Sequence, residues 1–127
     1  MNTEHLGSRF QLDLSKPLYE QILYQIRHAV SRKEIALGEK IPSIREMAQQ
    51  LKVNPNTVMR AYQELERDGL TETRRGQGTF ITTSPEKINQ VRKILAEDAI
   101  RGFIASMKDL GMDQASAKKM LEEVDWS

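Results

Sequence analysis

With 127 residues, 29% charged and 39% hydrophobic, the chain has the length for one small domain plus an appendage, not for two full cores. No apolar run approaches the roughly 20 residues needed to span a bilayer, the start MNTEHLGSRF lacks a signal peptide's apolar stretch, and the absence of cysteine removes disulfides and thiolate metal sites, as suits a reducing cytoplasm. A formal net charge of +1 excludes a blunt polycation: five Lys/Arg face five Asp/Glu in residues 1–39, seven face five in 40–83, and seven face eight in 84–127.

In chain order, residues 1–14 read as a flexible N-terminal segment. The first helix starts at Ser15-Lys16-Pro17, with Ser15 as cap and Pro17 near the first helical position. Leu18, Ile22, Ile26, Ala29 and Val30 recur at helical spacing and predict one buried stripe. A short connection, Ile35 to Lys40, leads to a second helix, where Ser43-Ile44-Arg45-Glu46 matches the capping box and Ile44, Met47, Ala48 and Leu51 form the inner face. After the brief turn Lys52-Val53, Asn54 caps a third helix and Pro55 fills its first position. Val58, Ala61, Tyr62 and Leu65 face inward there, leaving Thr57, Arg60, Gln63 and Glu64 largely outward. Gly69 stops the helix as a left-handed cap. Leu70–Thr73 and Thr79–Thr82 are β-prone runs joined by a tip in which Gly76 and Gly78 supply backbone freedom.

Thr83-Ser84-Pro85-Glu86 marks a boundary, so the expected domains are 15–83 and a tail over 84–127. In the tail, Ile88, Val91, Leu95, Ala99, Gly102 and Phe103 lie near one face of a helix of about 25 residues. Gly111 ends it, Asp113 caps a last short helix, and Ala117, Met120, Leu121 and Val124 share a face. The fold class expected is therefore mainly α with a small β-hairpin: a winged helix-turn-helix followed by a two-helix dimerisation tail.

A helix-turn-helix with a hairpin wing is built to lay one helix into a DNA major groove. Side chains at the start of that helix reach base edges. Asn54, Asn56 and Thr57 are short hydrogen-bonding residues at that end; asparagine can bond adenine bidentately, and the threonine methyl can touch a thymine methyl. The bland alternatives are that Asn54 only caps and Asn56 is merely solvated. Arg45, in the first turn of the preceding helix, is placed for phosphate or a guanine edge. Arg60 is placed for phosphate or base, with an i,i+4 pair to Glu64 as the alternative. Arg74, Arg75, Gly76 and Gln77 form a wing tip suited to a narrow, negative minor groove, or else an ordinary turn. Catalysis finds little support: His5 and His28 are far apart in sequence, no metal-ligand spacing and no nucleophile motif appears, and neither an enzyme nor a cofactor is expected.

These residues resemble the N-terminal domain of the GntR family of bacterial transcription regulators. Pro17-Leu18-Tyr19-x-Gln21-Ile22 opens the resemblance and Gly38-x-x-Ile41-Pro42-Ser43-x-Arg45-x-Met47-Ala48 continues it. Val53-Asn54-x-Asn56-Thr57-Val58-x-Arg60-Ala61-Tyr62-x-x-Leu65 runs through the third helix; Asp68-Gly69-Leu70 and Arg75-Gly76-x-Gly78-Thr79-Phe80 close it, over residues 16–82. The resemblance implies base and phosphate contacts at Arg45, Asn54, Asn56, Thr57 and Gly76. Many members carry DNA-binding arginines where Pro55 and Met59 stand here, so those contacts do not carry over and the operator should differ. About 44 residues follow the wing, too few for the effector domains of larger branches. A two-helix tail looks like the YtrA-like branch, whose tails pair two subunits and whose members often repress operons for ATP-driven transporters.

Physically, an isolated two-helix tail cannot bury both its faces, whereas a partner's tail can cover Leu95, Phe103, Ile104, Met107, Met120 and Leu121. The alternative is that these stripes fold back on the winged helix of the same chain. Trp126 either anchors that interface or frays. The partners expected are a double-stranded DNA operator of two-fold symmetry, a second copy of the chain, and an unidentified small-molecule effector with room only between subunits or against the winged helix, with no membrane. A rival reading, a winged-helix module that binds protein, would call for aromatic anchors in place of the Arg74/Arg75 tip.

Overall fold

The computed structural model describes residues 3–127, which form two compact units, one ending at Arg92 and the other spanning Lys93–Ser127. In the first, a 3-10 turn (Leu6–Arg9) precedes α1 (Leu18–Ser31), β1 (Lys40–Ile41), α2 (Ile44–Leu51), α3 (Pro55–Arg67), β2 (Thr71–Arg74) and β3 (Gly78–Ile81). α4 (Pro85–Asp109) starts in the first unit and runs into the second, where α5 (Gln114–Glu123) follows. The fold is the mainly helical winged helix-turn-helix that the sequence predicts.

The periodic apolar residues explain the first unit's core. Ile22, Ile26, Ala29 and Val30 of α1 meet Val58, Ala61, Tyr62 and Leu65 of α3, all buried, while α2 contributes Met47 and Ala48. Leu18, Ile44 and Leu51, at the edges of their stripes, are half-buried. Each fully buried Leu or Ile contributes about 1.5–3 kcal/mol over exposure. Tyr62 also donates its hydroxyl to the Pro42 carbonyl at 2.6 Å, tying α3 to the start of α2, and burial pushes its phenol pKa up so that it stays a neutral donor. Ile88 and Val91 of α4 are buried too, and Arg92 donates to the Ser31 carbonyl at 2.6 Å, so the first unit extends two turns beyond Ser84.

Three local features differ from expectation. Ser15 does not cap α1: the helix starts at Leu18 with Pro17 at the cap position, which puts Ser15 too early to reach the free N–H groups. It instead donates its amide and hydroxyl to Asp13 Oδ1 at 3.0 and 2.6 Å. The sheet has three strands in the order β1-β3-β2, because Lys40 and Ile41 pair antiparallel with Phe80 and Thr79. The start of the chain, expected to be flexible over residues 1–14, is anchored at Thr3, Leu6 and Gly7, which are buried; Met1 and Asn2 lie outside the described residues. Leu6 is buried, Thr3 donates to the Lys40 carbonyl, and the Gln50 amide of α2 accepts from Gly7 N at 2.8 Å and donates to the Glu4 carbonyl at 2.7 Å.

Candidate nucleic-acid interface

The sequence at the start of α2 folds as its capping box requires. Ser43 Oγ accepts from Glu46 N at 3.1 Å and Glu46 Oε1 accepts from Ser43 N at 3.0 Å; the Ser43 N–H, with the nearby Ser43 hydroxyl, holds the Glu46 carboxyl below its ordinary range. This fixes the first turn and presents Arg45 to solvent, with no ion pair or hydrogen bond to its side chain among the described residues. Lys52 ends α2 in the left-handed conformation (φ 58°), a conformation costing a non-glycine residue about 1–2 kcal/mol, and the chain turns directly into α3.

At the start of α3, Asn54 Oδ1 accepts from Asn56 N at 2.8 Å and Pro55 occupies the first turn. Asn54 is therefore a cap in fact. With its oxygen turned onto the helix, Asn54 has chiefly its amide N–H groups left to offer a partner. Asn56, Met59, Arg60 and Gln63 are exposed; Thr57 and Glu64, expected to face outward, are half-buried. Arg60 does not pair with Glu64, which Arg67 takes at 3.1 Å; its guanidinium stacks on the Tyr19 ring of α1, 3.7 Å from the centroid. Tyr19, Asn56, Thr57 and Arg60 line one groove between α1 and α3.

The wing closes through the Arg74↔Gly78 pair and a hydrogen bond from Gln77 N to the Arg74 carbonyl at 2.9 Å. Gly76 and Gly78 hold φ of +77° and +124°, which L side chains rarely adopt. At Gly78 a Cβ would also lie 2.7 Å from Lys40 Cε. Arg74 folds back over Phe80, 4.2 Å from the ring centroid and 3.7 Å from Glu72, whereas Arg75 and Gln77 stand exposed at the tip. A second cleft, between the wing, α3 and the start of α2, is lined by Lys40, Met59, Gln63 and residues 74–78. Tyr19 and Lys40 line these clefts without being expected there from the sequence, because their place depends on the pairing of distant segments, and Gln63, expected only to face outward, lines the second.

The second unit places the predicted tail residues on two helices. Gly111 (φ 76°) ends α4, and Asp113 caps α5 by accepting from Ser116 N at 2.8 Å. Leu95, Phe103 and Met107 are half-buried, and Ile104, Met120 and Leu121 are exposed. Ile100, Ile104, Met107 and Leu121 help line an apolar hollow of ≈ 660 Å³ between the helices. Trp126 is 94% exposed. No helix among the described residues is long and apolar enough to cross a membrane.

A three-helix core with a capped recognition helix and a hairpin carrying arginine at its tip defines a winged helix-turn-helix of the DNA-binding kind. Residues 18–81 match the model of the bacterial regulatory proteins of the gntR family. The chain belongs to the GntR family: it is a DNA-binding transcriptional regulator and not an enzyme. It is 47% identical to the HTH-type transcriptional regulator YhcF of Bacillus subtilis over 114 residues, 90% of this chain and 92% of that one. It is 37% identical to the HTH-type transcriptional repressor YtrA of the same organism, over 88% of this chain and 82% of that one. Among solved structures, a GntR family transcriptional regulator from Listeria monocytogenes superposes with a TM-score of 0.80 at 34% identity, over 90% of this chain and all of that one. The DNA-binding domain of AraR in complex with operator ORX1 superposes at 0.51 and 33% identity, over 57% of this chain and 92% of that one.

Proposed function

We propose that this regulator is a homodimeric repressor acting in the cytoplasm on a palindromic operator of an operon, with α3 in the major groove, the wing against the neighbouring minor groove, and the tails pairing two subunits. The observation that carries the reading is the gathering on one unit of accessible hydrogen-bonding groups at the start of α3 (Asn56, Thr57, Arg60) and at the wing tip (Arg74, Arg75, Gly76, Gln77). Arg45, unengaged at the first turn of α2, adds a phosphate or guanine contact, and Asn54 a contact through its amide. Pairing is supported by the tail's exposed apolar residues, and repression by the likeness to a repressor. The hollow between α4 and α5 has the size and apolar lining of a small-molecule site, which is where an effector would sit.

The test is fluorescence anisotropy with DNA from immediately upstream of the gene, titrated against scrambled DNA at near-physiological salt. Preference for the upstream duplex by a factor of about 10³ or more is expected for operator recognition. Arg45→Ala and Thr57→Ala should each weaken that binding by about 1–3 kcal/mol. Specific binding untouched by both substitutions would overturn the residue assignment, and no DNA binding at all would favour a protein-binding module.

A further inference from the structure

We infer that Tyr19 of α1 is a positioning residue for DNA recognition, holding the Arg60 guanidinium in place for its contact. The inference rests on the reading that Arg60 touches DNA, and the contact that carries it is the stack at 3.7 Å. A guanidinium laid on a ring has one face covered, but its N–H donors all point outward in its own plane, so the hydrogen-bonding fork remains available. The alternative partner is spoken for, since Glu64 pairs with Arg67, and among the described residues no carboxylate draws Arg60 away. Tyr19 is half-buried and donates its hydroxyl to Glu20 Oε1 at 3.2 Å, whereas Arg60 is exposed. The ring is thus the fixed member of the pair and the guanidinium the member that faces the groove shared with Asn56 and Thr57. Part of the rotamer freedom that Arg60 would lose on DNA is already lost in the free protein, which raises affinity without adding a contact.

The experiment uses the full-length chain and the duplex of highest affinity that it recovers from a random-sequence library, with anisotropy at fixed salt and a thermal midpoint for every variant. Tyr19→Leu should weaken binding about two- to fivefold, the range of an exposed cation–π contact. Tyr19→Phe, which keeps the ring and loses only the Glu20 bond, should bind as the unmodified chain does. In an Arg60→Ala background, Tyr19→Leu should cost nothing further. Tyr19→Met serves as a second ringless variant if leucine impairs folding. Equal losses from Tyr19→Leu in both backgrounds, or a Tyr19→Phe as weak as Tyr19→Leu, would overturn the inference. Weakening by Arg60→Ala with none from either ringless variant would overturn it alone. Full affinity in Arg60→Ala would overturn the underlying reading of Arg60 and this inference with it.

Discussion

In the unit that ends at Arg92, Ile22, Ile26, Val58, Leu65, Leu70 and Ile81 are fully or almost fully withdrawn from water. In Lys93–Ser127, by contrast, Ala117 is the one buried residue among those described, while Ile100, Leu110, Leu121 and Val124 are 52–69% exposed. Both units carry apolar residues at helical spacing, and both have well-made caps, at Ser43 and Asn54 in one and Asp113 in the other. What separates them is a second layer. Three helices and a sheet can close around one another, whereas two helices leave each stripe half uncovered. Helical periodicity therefore says that a face is to be covered, not which chain covers it.

The sharpest test of this contrast is Leu65→Ala, which should lower the unfolding free energy of the first unit by about 2–5 kcal/mol in urea denaturation, independently of protein concentration. A loss under about 1 kcal/mol would show that the first unit is not self-sufficient. Next, Ile104→Asp should raise the dissociation constant for self-association about 30-fold or more by sedimentation equilibrium, from the roughly 2 kcal/mol or more of burying an uncompensated charge, and should leave the unfolding of the first unit unchanged. Self-association as strong as before would exclude the tail as the pairing surface.

Smaller effects separate the caps. Ser43→Ala and Asp113→Ala should each cost about 1 kcal/mol. The first loss should be the same at every protein concentration, and the second should fade on dilution if the tails pair as proposed. Identical concentration dependence would erase the distinction between the units. The smallest effect concerns His28, whose pKa is lowered from 6.5 by burial and by Arg32 nearby. The unfolded chain therefore takes up its proton first, so the contribution of His28 is present above about pH 6.5 and is lost as pH falls through the lowered value. His28→Gln should flatten that part of the stability–pH profile between pH 7.5 and 5.5, and an unchanged slope would refute the assignment.

Much of the fold was legible because local signals agreed. Asn54-Pro55, the Ser43–Glu46 box and Gly69 each marked a helix end by chemistry that operates within four residues. The strand at Lys40–Ile41 was not legible, since two residues carry no period and pair only because β3 offers an edge. Nor was the anchoring of Glu4 and Gly7 to Gln50, more than forty residues away. The candidate interface divides in the same way. The outward placement of Arg60 and Gln63 followed from spacing, that of Thr57 and Glu64 did not, and the stacking of Arg60 on Tyr19 and of Arg74 on Phe80 brings together side chains that the sequence alone does not pair.

The cap at Asn54 has a consequence for how such a regulator changes its target. Any substitution there alters the stability of α3 at the same time as the DNA contact proposed for it, so a lineage that explores new operators through Asn54 passes through weakened folds. Met59 and Gln63 stand exposed on the same helix and line the cleft beside the wing, with no hydrogen bond or ion pair among the described residues. Exchanging them leaves the core and the caps intact. New specificities should therefore arise first at these two positions, with Asn54 held constant across descendants that have diverged in the genes they control.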